Sequence, residues 1–137
     1  MKDFFVEMDR QIYILDKFEE LIKQDKKVLQ DKLEELKKAV TAYNVIIAID
    51  IDSLDFDAEE EEAAFHNLQI LHKDYELLMT AYGLGMFDIT DASLNIEEGF
   101  KDYIEQAPAH LKPVIEHIQS VAKQLQKEYK TLIEEER

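Results

Sequence analysis

The densest group of side chains that could do chemistry is the segment DIDSLDFDAEEEE, residues 50–62, with eight carboxylates and no lysine or arginine. Carboxylate oxygens suit calcium, and an EF-hand loop places them at positions 1, 3, 5 and 12, with glycine at position 6. Asp50, Asp52 and Glu61 match positions 1, 3 and 12. Leucine stands at position 5 and aspartate at the glycine position, so a specific calcium site is not predicted.

The histidines, serines and glycines do not form a known catalytic pattern. Di-iron bundles use Glu-x-x-His pairs, but the residues three before the four histidines are Ala63, Gln69, Ala107 and Val114. No serine lies in a Gly-x-Ser-x-Gly turn, and the three glycines form no phosphate-binding loop. We therefore predict no catalytic residue, no cofactor and no metal ligand. An enzyme built from scattered carboxylates is the least favoured alternative.

The negative charge is concentrated in one part of the chain. The net charge is −15, and residues 39–100 hold fourteen acidic residues and a single lysine, a net charge of −13. Such a surface repels nucleic acids and anionic membranes and attracts basic partners. The lysines of residues 23–38 alternate with acidic residues, which is typical of a solvated helix face. Direct nucleic-acid binding and membrane binding are therefore not expected.

Length and composition predict one helical domain over residues 1–137. Apolar residues make up 46% of the chain, enough for a folded core, while three glycines and two prolines leave few tight turns. There is no cysteine, and the acids among the first residues do not suit a signal peptide. The longest wholly apolar run, residues 45–49, is too short to cross a bilayer. A cytoplasmic protein is the expectation.

The first 49 residues carry a helical stripe. Apolar residues recur every seven positions, and a neighbouring row reinforces them. The polar sequence KQDKK, residues 23–27, interrupts that row and predicts a bend or a solvent-facing turn; two collinear helices are the alternative. The stripe continues to about Ile49, after which alternating residues favour an extended connection to Phe56, with a short strand left open. Leu54 and Phe56 are expected to anchor that connection.

Two capping boxes mark the next helices. Asp57 with Glu60 predicts the start of a second long helix, and Gly83 with Gly85 predicts its end. Asn95 with Glu98 predicts a short helix after it. Two prolines precede a last helix whose apolar residues again step by three and four. The predicted fold is all-α: an antiparallel bundle of three long helices plus one short helix, with the first helix bent near residues 23–27.

These features favour a non-enzymatic acidic interaction protein, such as an adaptor, an export-type chaperone, an inhibitor or a regulatory subunit. In shape and charge it is similar to flagellar and type III export chaperones, although no residue motif carries that likeness. The alternatives are a nucleic-acid mimic that inhibits a DNA- or RNA-binding protein, and a structural homo-oligomeric bundle. The expected partner is a protein with a basic surface, bound through the acidic middle segment or through an apolar helix face, and a homodimer is the alternative. The predicted partner-binding residues are Asp50, Asp52, Asp55, Asp57, Glu59, Glu60, Glu61, Glu62, Phe4 and Phe5.

Overall fold

The computed structural model describes the backbone of residues 2–55 and 57–134 and the side chains from Phe4 onward within those ranges. Five helices make up this part of the chain, which contains no strand. They are α1 (Lys2–Leu21), α2 (Lys23–Ser53), α3 (Ala58–Asp88), α4 (Ile96–Gln106) and α5 (Lys112–Glu134). The predicted all-α class is confirmed. No helix among these residues is both long enough and apolar enough to span a membrane.

The predicted interruption of the first helix lies at a single residue, Ile22, directly before residues 23–27. The backbone hydrogen bonds continue through it, because Ile22 N–H donates to Phe18 and Lys26 N–H donates to Ile22. The side chain of Ile22 is fully buried. The polar residues that follow therefore begin α2 instead of forming a loop.

The chain divides into two compact units, here called the bundle (residues 1–27 and 77–137) and the hairpin (residues 28–76). The bundle contains all of the largest fully buried side chains among the described residues. These are Ile14, Phe18, Ile22, Leu78, Ile89, Ile96, Phe100, Leu111, Ile115, Leu125 and Tyr129. Each such side chain stabilises a fold by about 1.5–3 kcal/mol relative to exposure. The expectation of one domain over residues 1–137 stays a prediction.

Polar contacts join the helices of the bundle around that core. Lys17 on α1 forms an ion pair with Glu128 on α5, with 2.6 Å between Nζ and Oε1. Asp25, in the first turn of α2, pairs with His117 on α5. The predicted cap of α4 is confirmed, because the Glu98 N–H donates to Asn95 Oδ1 at 3.1 Å. The two ion pairs tie α1 and the beginning of α2 to α5, whereas the cap is a local contact at the start of α4.

The prediction that Gly83 and Gly85 end the second long helix is wrong, because α3 continues to Asp88. Neither glycine has a positive φ angle, so neither forms a left-handed cap. Gly85 is buried against the ring of Phe18, which leaves no room for a Cβ atom. From the sequence alone, a glycine that allows two helices to approach closely cannot be distinguished from a glycine that ends a helix.

The hairpin consists of the rest of α2 and the first part of α3, which run antiparallel. Tyr43 stacks near Phe65 with ring centroids 5.7 Å apart. Near the other end of the hairpin, where α2 begins, Lys32 Nζ lies 3.9 Å from Asp74 Oδ2. In contrast to the bundle, the only apolar residue buried in the described hairpin is Ala39. The apolar stripes of both helices are therefore only half covered.

The connection between α2 and α3 is shorter than predicted. Helix α2 reaches Ser53 instead of ending near Ile49, so the predicted extended segment is helical over most of its length. Leu54 directly follows α2, and its φ of 56° places it in the left-handed region. Leu54 is 82% exposed, so it does not anchor the connection, and Phe56 lies outside the described residues. Of the β-branched residues here, Ile46 and Ile47 are half-buried, whereas Val45, Ile49 and Ile51 are exposed. β-Branched residues are only slightly weaker helix formers than leucine, so the helix tolerates all five.

Candidate functional site

The acidic residues singled out in the sequence lie around the end of the hairpin where the chain passes from α2 to α3, here called the closed end. The N-cap prediction holds, because Glu60 N–H donates to Asp57 Oδ1 at 3.2 Å. Acidic side chains in this first turn of α3 also interact favourably with the positive end of the helix dipole. The exposed members of the group are Asp52, Asp55, Asp57, Glu59, Glu60 and Glu62. Capping explains Asp57 and the first-turn glutamates but not the remaining negative charge.

Two of the predicted residues differ from the others because their side chains face inward. Asp50, near the end of α2, is only 6% exposed, and Glu61, in the first turn of α3, is half-buried. Asp50 Oδ2 and Glu61 Oε1 are shielded from solvent without a hydrogen-bond donor. The hydrogen bond with Asp50 raises the pKa of Glu61, and desolvation and the negative charges of Asp50, Asp57 and Glu60 raise it further.

The positions of Asp50 and Glu61 in the apolar stripes distinguish them from the acidic residues around them. Asp50 continues the inward stripe of α2, three residues after Ile47, and Glu61 precedes the stripe of α3 by three residues at Ala64. Both acids therefore occupy positions where an apolar side chain is expected. The calcium pattern fails for a structural reason as well, because residues 50–53 are helical and do not form a ligand loop.

A groove of about 600 Å³ opens along the hairpin between α2 and α3. Its apolar walls are Leu36 and Val40 on α2 and Phe65 and Leu68 on α3. Its polar wall residues are Gln69, His72, Lys73 and Glu76. Val40 and Phe65 are 39% and 45% exposed, so a large part of each side chain is available for contact. Sequence reasoning missed this groove, because an apolar stripe does not reveal how much of it a neighbouring helix covers.

Charge surrounds the groove asymmetrically. Glu62 lies three residues before Phe65 and therefore on the same face of α3. No lysine or arginine occurs from residue 39 to residue 72, where there are eight acidic residues. Lys73 is the only lysine or arginine in the groove wall, and Glu76 lies one turn beyond it. The groove thus combines apolar walls with a neighbouring stretch of α2 and α3 that carries only acidic charges.

The predicted residues Phe4 and Phe5 belong to the bundle and do not line this groove. They are 63% and 54% exposed and form an edge-to-face pair with centroids 5.6 Å apart. Their role as a docking patch stays a prediction. Within the described residues there is no group of three or more histidine, aspartate or glutamate side chains placed to hold a metal ion.

The site is therefore an apolar groove flanked by carboxylates, with an inward-facing carboxyl pair at the closed end of the same hairpin. Its chemistry is that of a surface that covers apolar side chains and attracts positive charge. Comparisons of the chain with protein-family models, with curated proteins and with solved structures find no significant match.

Proposed function

We propose that this protein is a non-enzymatic interaction module that binds a helix of a partner protein in the groove of its hairpin. The observation that carries the proposal is the half-covered apolar stripe of α2 and α3. Val40, Phe65 and their groove neighbours keep solvent contact that a third helix would remove. An amphipathic helix laid into an apolar groove is a common mode of protein recognition, with anchors spaced three and four residues apart.

Charge complementarity selects the kind of helix. The hairpin has thirteen acidic and four basic residues, a net charge of −9. A partner helix with lysine or arginine beside its apolar face would place those charges near Glu62 and the exposed carboxylates of the closed end. Such complementarity speeds association and discriminates against acidic partners. The partner is therefore a basic amphipathic helix.

A second copy of the chain is a poorer occupant. Two hairpins brought together along their grooves would each contribute a net charge of −9. Like charges at close range oppose association unless opposite charges intervene. Nucleic-acid mimicry requires the exposed carboxylates alone, and it leaves the apolar groove unused.

Two matched variants test the proposal. Val40→Glu places a charge in the groove, whereas Val45→Glu adds the same charge on another face of α2, about two and a half turns beyond Leu36. Val45 is 50% exposed, so neither variant inserts a charge into a buried position. The probe is a synthetic peptide with leucines at helical spacing and lysines elsewhere. A second peptide replaces every lysine with glutamate.

Calorimetric titration should show that the wild type binds the lysine peptide and not the glutamate peptide. Val40→Glu should weaken binding about tenfold or more, equivalent to about 1.4 kcal/mol, while Val45→Glu should retain it. Equal effects of the two variants would reject the groove as the binding site. Binding that neither substitution changes but that high salt abolishes would favour mimicry by the exposed carboxylates. A dimer in sedimentation equilibrium that Val40→Glu dissociates would assign the groove to a second copy.

A further inference from the structure

The closed end of the hairpin contains a carboxyl pair that neither capping nor the proposed partner groove requires. Asp50 is nine-tenths buried, and its Oδ2 has no partner. The carboxyl of Glu61 lies within hydrogen-bonding reach of Asp50, yet its own buried Oε1 also lacks a donor. Two ionised carboxylates cannot satisfy each other, because both only accept hydrogen bonds.

Every titratable group identified around the pair carries the same sign. Asp57 and Glu60, at the beginning of α3, add negative charge near Glu61. On the α2 side, no lysine or arginine occurs between Ala39 and Asp50, and none follows until Lys73. The usual solution for a buried carboxylate, a cationic partner, is therefore not available from the neighbouring sequence.

We propose that Asp50 and Glu61 share one proton, and that the resulting hydrogen bond is an acid-stabilised clasp between α2 and α3 at the closed end of the hairpin. With one proton, one carboxyl donates and the other accepts, so the pair becomes a hydrogen bond with a single negative charge. Without that proton, two like charges face each other across the helices and favour separation of the helix ends.

The direction of the pH dependence follows from the pKa of Glu61, which lies above its ordinary value of 4.5 because of its hydrogen bond with Asp50 and its desolvation. Above pH 4.5 the folded protein therefore retains a proton that the unfolded chain has lost. The contribution of Glu61 to stability is therefore fully present below pH 4.5 and is lost as the pH rises from 4.5 through the raised pKa of Glu61 in the folded protein. Acidification closes the clasp, and neutral or alkaline pH loosens it.

Carboxyl carbon NMR shifts of the intact chain provide the direct test. Glu61 should titrate above its ordinary value of 4.5. The Asp50→Asn variant supplies an amide donor that stabilises the Glu61 carboxylate, so the titration midpoint of Glu61 should fall below its wild-type value. If Glu61 titrates at or below 4.5 in the wild-type protein, or if Asp50→Asn leaves its midpoint unchanged, the proposal is overturned.

Urea unfolding between pH 4.5 and pH 7.5 gives an independent measurement. Glu61→Gln keeps a permanent donor toward Asp50, so it should remove the loss of stability with rising pH and raise the urea midpoint at neutral pH. Glu62→Gln removes the same charge one residue away and should retain the slope. Identical profiles for these two variants would contradict the clasp. Saturable shifts of Asp50 and Glu61 with magnesium or calcium chloride, without shifts of Asp55 and Glu62, would also overturn it, because a metal ion would then neutralise the pair.

Discussion

The ring of Phe18 on α1 lies directly over Gly85 on α3, so that a Cβ atom added at residue 85 would stand 2.5 Å from Phe18 Cζ. It would also stand 3.4 Å from Cγ2 of Ile118 on α5. Phe18 is fully buried, which limits its freedom to move aside. Three helices of the bundle therefore meet at a position where only hydrogen fits.

Replacement of Gly85 by alanine is expected to destabilise the protein by about 1–3 kcal/mol, the usual cost of overpacking a core. Gly83→Ala is the matched control, because a Cβ there meets no atom within 4 Å. Alanine is the better helix former, so Gly83→Ala should stabilise the protein by up to about 1 kcal/mol. Urea unfolding followed by circular dichroism measures both. Equal effects of the two substitutions would refute the close approach.

Gln126 is expected to hold the segment between α3 and α4 in place. This buried side chain donates from Nε2 to the carbonyls of Asp91 and Leu94, each at 2.8 Å. Gln126→Glu preserves the shape but turns the donor into an acceptor, leaving two carbonyls without their hydrogen bonds. The loss should be about 2 kcal/mol or more, measured by urea unfolding near neutral pH. The exposed Gln124→Glu carries the same charge change and should leave stability within about 0.5 kcal/mol of the wild type.

Leu54, the left-handed residue that follows α2, is a position where a substitution should stabilise the protein. Leu54 has a φ of 56° and is largely exposed, so its side chain gains little from burial. Leu54→Gly should stabilise the hairpin by about 1 kcal/mol, because the left-handed conformation costs a residue with a Cβ about 1–2 kcal/mol. Leu54→Ala removes the same exposed surface but retains the Cβ, and it should show no such gain in urea unfolding. If glycine and alanine behave alike, the backbone of residue 54 carries no strain.

The helices and their caps could be predicted because they depend on local chemistry. Asp57 and Asn95 both accept the hydrogen bond that their capping boxes predict. The interruption at Ile22 was recognisable only as a polar stretch beside it, because the residue itself belongs to the apolar stripe. The end of α3 does not follow from the sequence, because the role of Gly85 depends on Phe18, which is distant in sequence.

The position of the acidic segment could be predicted from the sequence, but the contact between its inward-facing carboxyls and the adjoining groove could not. The acidic segment was located from charge alone, and six of its carboxylates are exposed as a solvated surface requires. The inward orientation of Asp50 and Glu61 depends on how α2 and α3 pack. The groove depends on which part of each stripe remains uncovered. Spacing within one helix places Asp50 and Glu61 on the inward stripes, but it does not show that the two carboxyls meet or which part of each stripe stays uncovered.

The absence of basic residues from the middle of the hairpin has a practical consequence for identifying a partner. Trypsin cleaves after lysine or arginine, so residues 39–73 would leave the protein as one long peptide that contains the acidic segment. Amine-reactive cross-linkers would find no lysine between Lys38 and Lys73 and would miss a partner bound along this stretch. Carbodiimide coupling, which joins carboxylates to lysines, would use the exposed acids themselves and record the basic side chains that approach them.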